Sequence, residues 1–498
     1  MNVNPITRLD YPDPDVIRVE DTYYMVSTTM HFMPGCEILQ SFDLVHWEHV
    51  TYVYETLDHT DAQQLKSGQN IYGQGMWAAS LRYHEGRFCI CFVANDTRKT
   101  YLYTSEKIDG PWKKQLIEGF YHDGSLLFDE DGRNYIVYGN DEIWITELNE
   151  DLTAPKKDGL HRLLVSDHKN PELGYEGSHI QKINGYYYIF LIHSLRDRWM
   201  RTEACFYSDS LEGEFTGGDV LCDDRGYCGQ GVAQGGIVDT PDGKWYAMLF
   251  QDSGAVGRIP ILLPVTWKDH FPFFGQNGHV PEEIEVHSTR PGYIYQPLVG
   301  SDDFCNGLLP RWQFNHDPDP RYYHLDALQG TYTITTREVC TELTQAVNTL
   351  TQRMSYPSCA AEVTVDASAL KEGDIAGLCA LQSCYAAVGI TKHHGKYEVL
   401  MLDKKEDGIL DMTEGTVVES HQMDFRLEAD FCNMKDEARC YYRVNKGDWL
   451  PIGTVHKLYF KLDHFTGCRF GLFCYAAEET GGSACFRDFK YYDVDEIS

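Results

Sequence analysis

Asp13, Asp123 and Glu176 hold corresponding places in three of five similar stretches of this 498-residue chain. The stretches are DPDVIRVEDTYYMVSTT from Asp13, AASLRYHEGRFCICFVA from Ala78, DGSLLFDEDGRNYIVYG from Asp123, EGSHIQKINGYYYIFLI from Glu176 and QGGIVDTPDGKWYAMLF from Gln234. Aligned on their polar turns, they share one position before the first strand, occupied by Asp13, Ala78, Asp123, Glu176 and Gln234. A carboxyl group entering a buried strand is costly unless it is paired or used. Any one of these acids alone reads as a turn cap. Three in register read as a site. Two carboxyl groups suffice for glycoside cleavage, one protonating the leaving oxygen and one activating water. A third nearby raises the pKa of the acid by like-charge repulsion and orients it.

The elements that must position these acids are legible in the same stretches. Each runs as a short apolar strand, a polar turn and an aromatic-rich second strand, with Glu-Asp, Glu-Gly, Asp-Gly, Asn-Gly and Asp-Gly at the turns. Asn-Gly and Asp-Gly are strong hairpin signals. The units begin 45 to 65 residues apart, and SFDLVHW, SEKIDGPW and SDSLEGEF follow three of the hairpins at similar distances. This spacing fits a four-stranded blade per unit and predicts a five-bladed β-propeller, whose innermost strands bring their ends to one mouth. Beyond STRPGYIYQPLVG the chain alternates strands such as GTYTITT, AAEVTVDAS and RFGLFCY. The expectation is an all-β protein with a propeller over residues 1–299 and a β-sandwich packed on it over 300–498.

Composition narrows the function. The net charge of −32 repels phosphate backbones and anionic lipid, which excludes nucleic acid and membrane surfaces and leaves a neutral substrate compatible. No stretch approaches 18 continuous apolar residues. The 16 cysteines form no CxxC pair and the first residues lack a basic-then-apolar leader, so the expected location is cytoplasmic, with reduced thiols. Metalloprotease, serine-hydrolase and P-loop motifs have no supporting context. Composition does not set the oligomeric state.

The segment NPITRLDYPDPDVIRVEDTYYMVSTT, followed by SFDLVHW, resembles the opening of glycoside hydrolase family 43. Members of that family are five-bladed propellers acting mainly on arabinose- and xylose-containing glycans. The resemblance covers the propeller and continues into a concanavalin-like sandwich similar to that of the family's β-xylosidases. It implies that Asp13 is the general base, Asp123 the modulator of pKa and Glu176 the general acid of an inverting reaction. It further implies that Trp77 packs on the sugar, that Arg258 binds sugar hydroxyls beside the acids, and that Met30, His31 and Phe32 line the pocket. Gln234 stands where many relatives carry His, Met30 where many carry Phe, and Ala78-Ala79 and Glu-Gly-Ser-His replace the commoner Ala-Pro and Glu-Gly-Pro-His. The implied activity is exo-acting release of terminal α-L-arabinofuranose and/or β-D-xylose from short hemicellulose-derived oligosaccharides. An endo-acting arabinanase and a non-catalytic carbohydrate-binding propeller are the alternatives. No cofactor is required and no metal-ligand set is read from the sequence. Some relatives hold calcium in the propeller or sandwich, and that option stays open here although no EF-hand-like loop occurs.

Overall fold

Each of the five hairpins is the inner half of a four-stranded antiparallel sheet. The structure, a computed structural model, describes residues 2–493, so Met1 and residues 494–498 of the expected domains lie outside the described residues. The first blade runs Asp15–Val19, Thr22–Val26, Gly35–Ser41 and Glu48–Tyr54. The others begin with Met76–His84, Ser125–Phe128, Glu176–Ile183 and Ala233–Asp239. In the two-residue turns Glu85-Gly86 and Asn184-Gly185 both residues take positive φ, matching the twist of the strands they join. The Asp-Gly pairs of the third and fifth hairpins lie instead in the longer loops 129–133 and 240–244, where Gly132 and Gly243 are left-handed. The ring closes where Asn2–Val3 pairs with Glu283–Ile284, and where Arg18 of the first blade pairs with Asp239 of the fifth.

Side chains at one level stitch neighbouring blades together. Asp15 Oδ2 accepts the Leu81 N–H at 2.7 Å, Ser80 Oγ that of Leu126 at 3.1 Å, and Ser125 Oγ that of Ile180 at 3.0 Å. This ladder fixes which residues are equivalent: Asp15, Ser80, Ser125 and His179. Two residues earlier stand Asp13, Ala78, Asp123 and Gly177, so the expected slot residue is one position out in the fourth blade, and counting back from the turns Glu85-Gly86 and Asn184-Gly185 also gives Gly177. Glu176 precedes the shared slot rather than filling it. A β-bulge lies between Glu176 and His179, as one does between Met76 and Ala79 of the second blade and between Ala233 and Gly236 of the fifth. Asp13, Asp123, Gly177 and Gln234 all have φ between 47° and 65°. At Gly177 a Cβ would also come within 2.7 Å of the Gln234 side chain, so a glycine is needed there twice over.

Arg82 plugs the channel below the mouth. Its guanidinium donates to Asp15 Oδ2 at 2.8 Å, Ser125 Oγ at 2.7 Å and the Leu126 carbonyl at 2.8 Å, joining three blades. Burial alone would raise the Asp15 carboxyl, but Arg82 and His179 outweigh it and hold the group down at about 2.

Residues 313–493 build two large sheets, of nine and seven strands, around a core that includes Trp312, Tyr332, Phe425 and Phe486. The described residues contain four short 3-10 turns and no α-helix. One strand of the nine comes from the propeller: Phe32–Met33 pairs with Gln313–Asn315, with Met33 opposite Phe314 and Phe32 opposite Asn315. Nearby, the buried Arg353 and Glu37 form an ion pair at 2.8 Å across the same seam.

Candidate active site

The blade ends bring Asp13, Asp123 and Glu176 to one mouth from three different blades. Asp13 is nearly enclosed. Its Oδ2 accepts the Thr28 hydroxyl at 2.6 Å and its Oδ1 faces Arg258 Nη1 at 3.3 Å. Asp123 Oδ2 accepts the Gly177 N–H at 3.0 Å, so the residue after Glu176 ties the third blade to the fourth. Glu176 Oε2 accepts Asn140 Nδ2 at 2.7 Å. Its side chain is 21% exposed, against 8% for Asp13 and 6% for Asp123, so Glu176 is the carboxyl group that an incoming substrate reaches most easily.

His122, which the sequence reading passed over, sits between two of the acids. Its Nε2 lies 3.4 Å from Glu176 Oε2 and 3.6 Å from Asp123 Oδ2. The Asp123 charge, helped by Glu176 and opposed by burial, lifts the imidazole to about 9. Burial lifts Asp123 to about 6, with the Glu176 and Asp13 charges adding to it and the His122 cation opposing it. The resemblance made Asp123 the residue that shifts another carboxyl; in this site Asp123 is itself strongly shifted. One ligand atom from each of His122, Asp123 and Glu176 falls within 4.8 Å of the others, close enough for a metal ion.

From this follows an expected pH dependence. Between about pH 6 and 9 His122 is cationic and Asp123 anionic, and kcat/KM should fall as pH rises through about 9, where the imidazolium loses its proton. The folded value lies above the ordinary 6.5, so the stability His122 contributes is full below 6.5 and lost as pH rises through 9. A His122→Gln variant should lack this alkaline limb. A pH–rate profile with the limb unchanged would assign it to another group.

Arg258 reaches the site from the fifth blade. It donates to Asp13 and, at 3.4 Å, to the Phe465 carbonyl, and the Phe465 ring centre lies 4.3 Å from its guanidinium carbon. Phe465 belongs to the sandwich and also packs on Trp77 at 5.6 Å; Trp77 in turn lies 5.9 Å from His122. The sandwich therefore forms one wall of the mouth. Nothing in the sequence around Phe465 marks it. Gln234 packs its side chain over Gly177, and its N–H donates at 2.7 Å to Glu203. Burial drives the Glu203 carboxyl well above the ordinary range, opposed by the Gln234 N–H.

Met30, His31 and Phe32, expected together beside the sugar, are all buried. Met30 bridges to Met76 of the second blade. His31 packs against Phe32, Tyr72, His316 and His464, and Arg469 lies 3.5 Å above the Phe32 ring, so both side chains are committed to the seam between propeller and sandwich. Burial pushes the three imidazoles down, His464 to about 3.

The chain is similar to known proteins in sequence and fold. Residues 3–272 match the family described as glycosyl hydrolases family 43, and residues 301–492 match the β-xylosidase C-terminal concanavalin A-like domain. The structure resembles that of a bifunctional GH43-CE protein of Bacteroides eggerthii, with a TM-score of 0.92 and 42% identity over 99% of this chain; the chain spans 64% of the length of that protein. A β-xylosidase of Formosa agariphila is 26% identical, with 99% of this chain and 89% of that protein covered. A non-reducing end α-L-arabinofuranosidase of Bacteroides ovatus is 25% identical, with 66% of this chain and 63% of that protein covered. The matched propeller, with the concanavalin-like sandwich behind it, makes this chain a glycosidase belonging to glycoside hydrolase family 43.

Proposed function

We propose that the protein releases single terminal pentoses, α-L-arabinofuranose and/or β-D-xylose, from short neutral oligosaccharides with inversion at the anomeric carbon. Residues 1–299 are the catalytic unit in this reading, and residues 300–498 wall its pocket. The observation that carries it is the unequal trio: a more exposed Glu176 and an enclosed Asp13 and Asp123, with His122 between Glu176 and Asp123. Glu176 gives its proton to the glycosidic oxygen. Asp13 takes a proton from a water whose oxygen attacks the anomeric carbon from the opposite face, and Thr28 and Arg258 hold the Asp13 carboxylate for that step. Trp77, Arg258, Gln234 and the Met30 loop shape the sugar site. These proton transfers need no cofactor.

Exo action is supported by Phe465, a sandwich residue that packs against Arg258 and Trp77 and so narrows the mouth on that side. The relatives named as β-xylosidase and α-L-arabinofuranosidase support both pentoses. All sixteen cysteines are free thiols, which suits a reducing compartment and imported oligosaccharides.

The nitrophenyl glycosides of α-L-arabinofuranose and β-D-xylopyranose, assayed side by side, should both release pentose. Proton NMR of the first product should show the inverted anomer. The retained anomer would exclude this mechanism. Cleavage of internal arabinan linkages without activity on either glycoside would favour the endo alternative.

A further inference from the structure

Trp199 is 44% exposed, and among the described residues no other tryptophan is as exposed. A large aromatic ring is ordinarily mostly buried, so one held half in water is an uncommon feature. Its place is specific. The strand Tyr186–Ser194 carries Ile192, the partner of Glu176, and the loop 195–200 rises directly from the end of that strand. Trp199 therefore stands on the blade that carries the proposed proton donor.

The loop is held in shape by its own hydrogen bonds. Leu195 N–H donates to the Met200 carbonyl at 3.1 Å and Met200 N–H to Ser194 Oγ at 2.8 Å, while the Ser194 hydroxyl donates to the Arg198 carbonyl at 3.2 Å. A ring presented this way loses little freedom when a ligand stacks on it. A continuous row links it to the chemistry. The Arg201 guanidinium lies 5.3 Å from the Trp199 ring centre and 5.4 Å from that of Phe250. Phe250 lies 5.5 Å from Arg258, which binds Asp13. Arg201 is itself anchored by an ion pair to Asp252.

We infer that Trp199 is the platform of a leaving-group subsite, stacking the neutral pyranose on the far side of the scissile bond. This rests on the function proposed above and extends it. A general acid protonates the leaving oxygen, so the leaving saccharide must lie on the Glu176 side of the mouth. A pyranose presents a C–H-rich face to an aromatic ring, and a rigid, half-open indole beside a fixed guanidinium offers both apolar contact and a donor edge. The substrate class is thus an oligosaccharide with at least one pyranose behind the terminal pentose.

The test compares a pentose-terminated trisaccharide with the fluoride of the same pentose, whose leaving group is too small to reach the platform. Trp199→Ala should lower kcat/KM on the trisaccharide about tenfold, chiefly through KM, and leave the fluoride within about twofold. Trp199→Phe, which keeps a ring, should retain most of the trisaccharide activity. Equal losses on both substrates, or none on the trisaccharide, would overturn the inference. If the unsubstituted protein releases pentose from neither substrate, the function proposed above fails, and this inference with it.

Discussion

Glu176→Ala is expected to lower kcat/KM on a natural pentosyl oligosaccharide by about two to four orders of magnitude, and to lose far less on a dinitrophenyl pentoside. The difference arises because a sugar alkoxide is a poor leaving group that needs its proton, whereas a nitrophenolate leaves without one. Asn140 holds Glu176 at 2.7 Å and His122 stands at 3.4 Å, so the truncation also leaves two donors facing an empty position. Asp13→Ala should be equally damaging but unresponsive to the leaving group, because the water must be activated whatever departs. Thr28 and Arg258 would then face a cavity in place of their acceptor, and neither can take up a proton at neutral pH. Steady-state kinetics of both variants on both substrates decide the matter. Equal losses throughout would remove the assignment of acid to Glu176 and base to Asp13.

Much of this site could be read from the chain because propellers repeat. The turn residues Glu85-Gly86 and Asn184-Gly185 announce hairpins by local chemistry, and a repeat turns five weak signals into one register. That register is one residue out at Glu176: counted back from the two-residue turns Glu85-Gly86 and Asn184-Gly185, the residue matching Ala78 is Gly177, and Glu176 matches Trp77. The inter-blade ladder of Asp15, Ser80 and Ser125 gives the same register and extends it to the third blade, whose longer turn cannot be counted in that way. His122 was missed although it is the neighbour of Asp123, since a histidine beside an acid is common and only the approach of Glu176 gives it a task. Phe465 lies 452 residues from Asp13, and the entry of Phe32–Met33 into the sandwich sheet crosses about 280 residues of sequence. Neither long-range contact leaves a local trace. A segment that resembles a pocket loop can therefore also serve as a strand of another domain.

That seam makes Arg353→Ala the second large expected effect. Arg353 and Glu37 lie 2.8 Å apart and are both almost wholly buried, one on the sandwich strand Leu350–Arg353 and the other on the first-blade strand Gly35–Ser41. Burial would raise the Glu37 carboxyl, but Arg353 and His49 outweigh it and hold the group at about 2. Removing the guanidinium strands a carboxylate in a dry interface, which costs about 3–5 kcal/mol. It also uncovers the Tyr11 ring, 4.0 Å beneath the guanidinium, and releases the Asp10 carbonyl, which accepts Arg353 Nε at 2.9 Å. Asp10 matters because its carboxylate accepts the backbone N–H of Arg258 and of Gly467, each at 2.7 Å, one the partner of Asp13 and one close in sequence to Phe465. The loss should thus appear twice: as a lower midpoint in denaturant and as reduced activity under conditions where the protein is still folded. Because the folded Glu37 value lies below the ordinary 4.5, the stability it contributes is full above 4.5 and lost as pH falls towards 2, so the gap between variant and parent should narrow on acidification. The double variant Glu37→Gln with Arg353→Met removes both charges and should recover part of the deficit, since a buried pair is worth less than either orphan costs. An Arg353→Ala protein with unaltered midpoint and activity would show that the two domains are held together elsewhere.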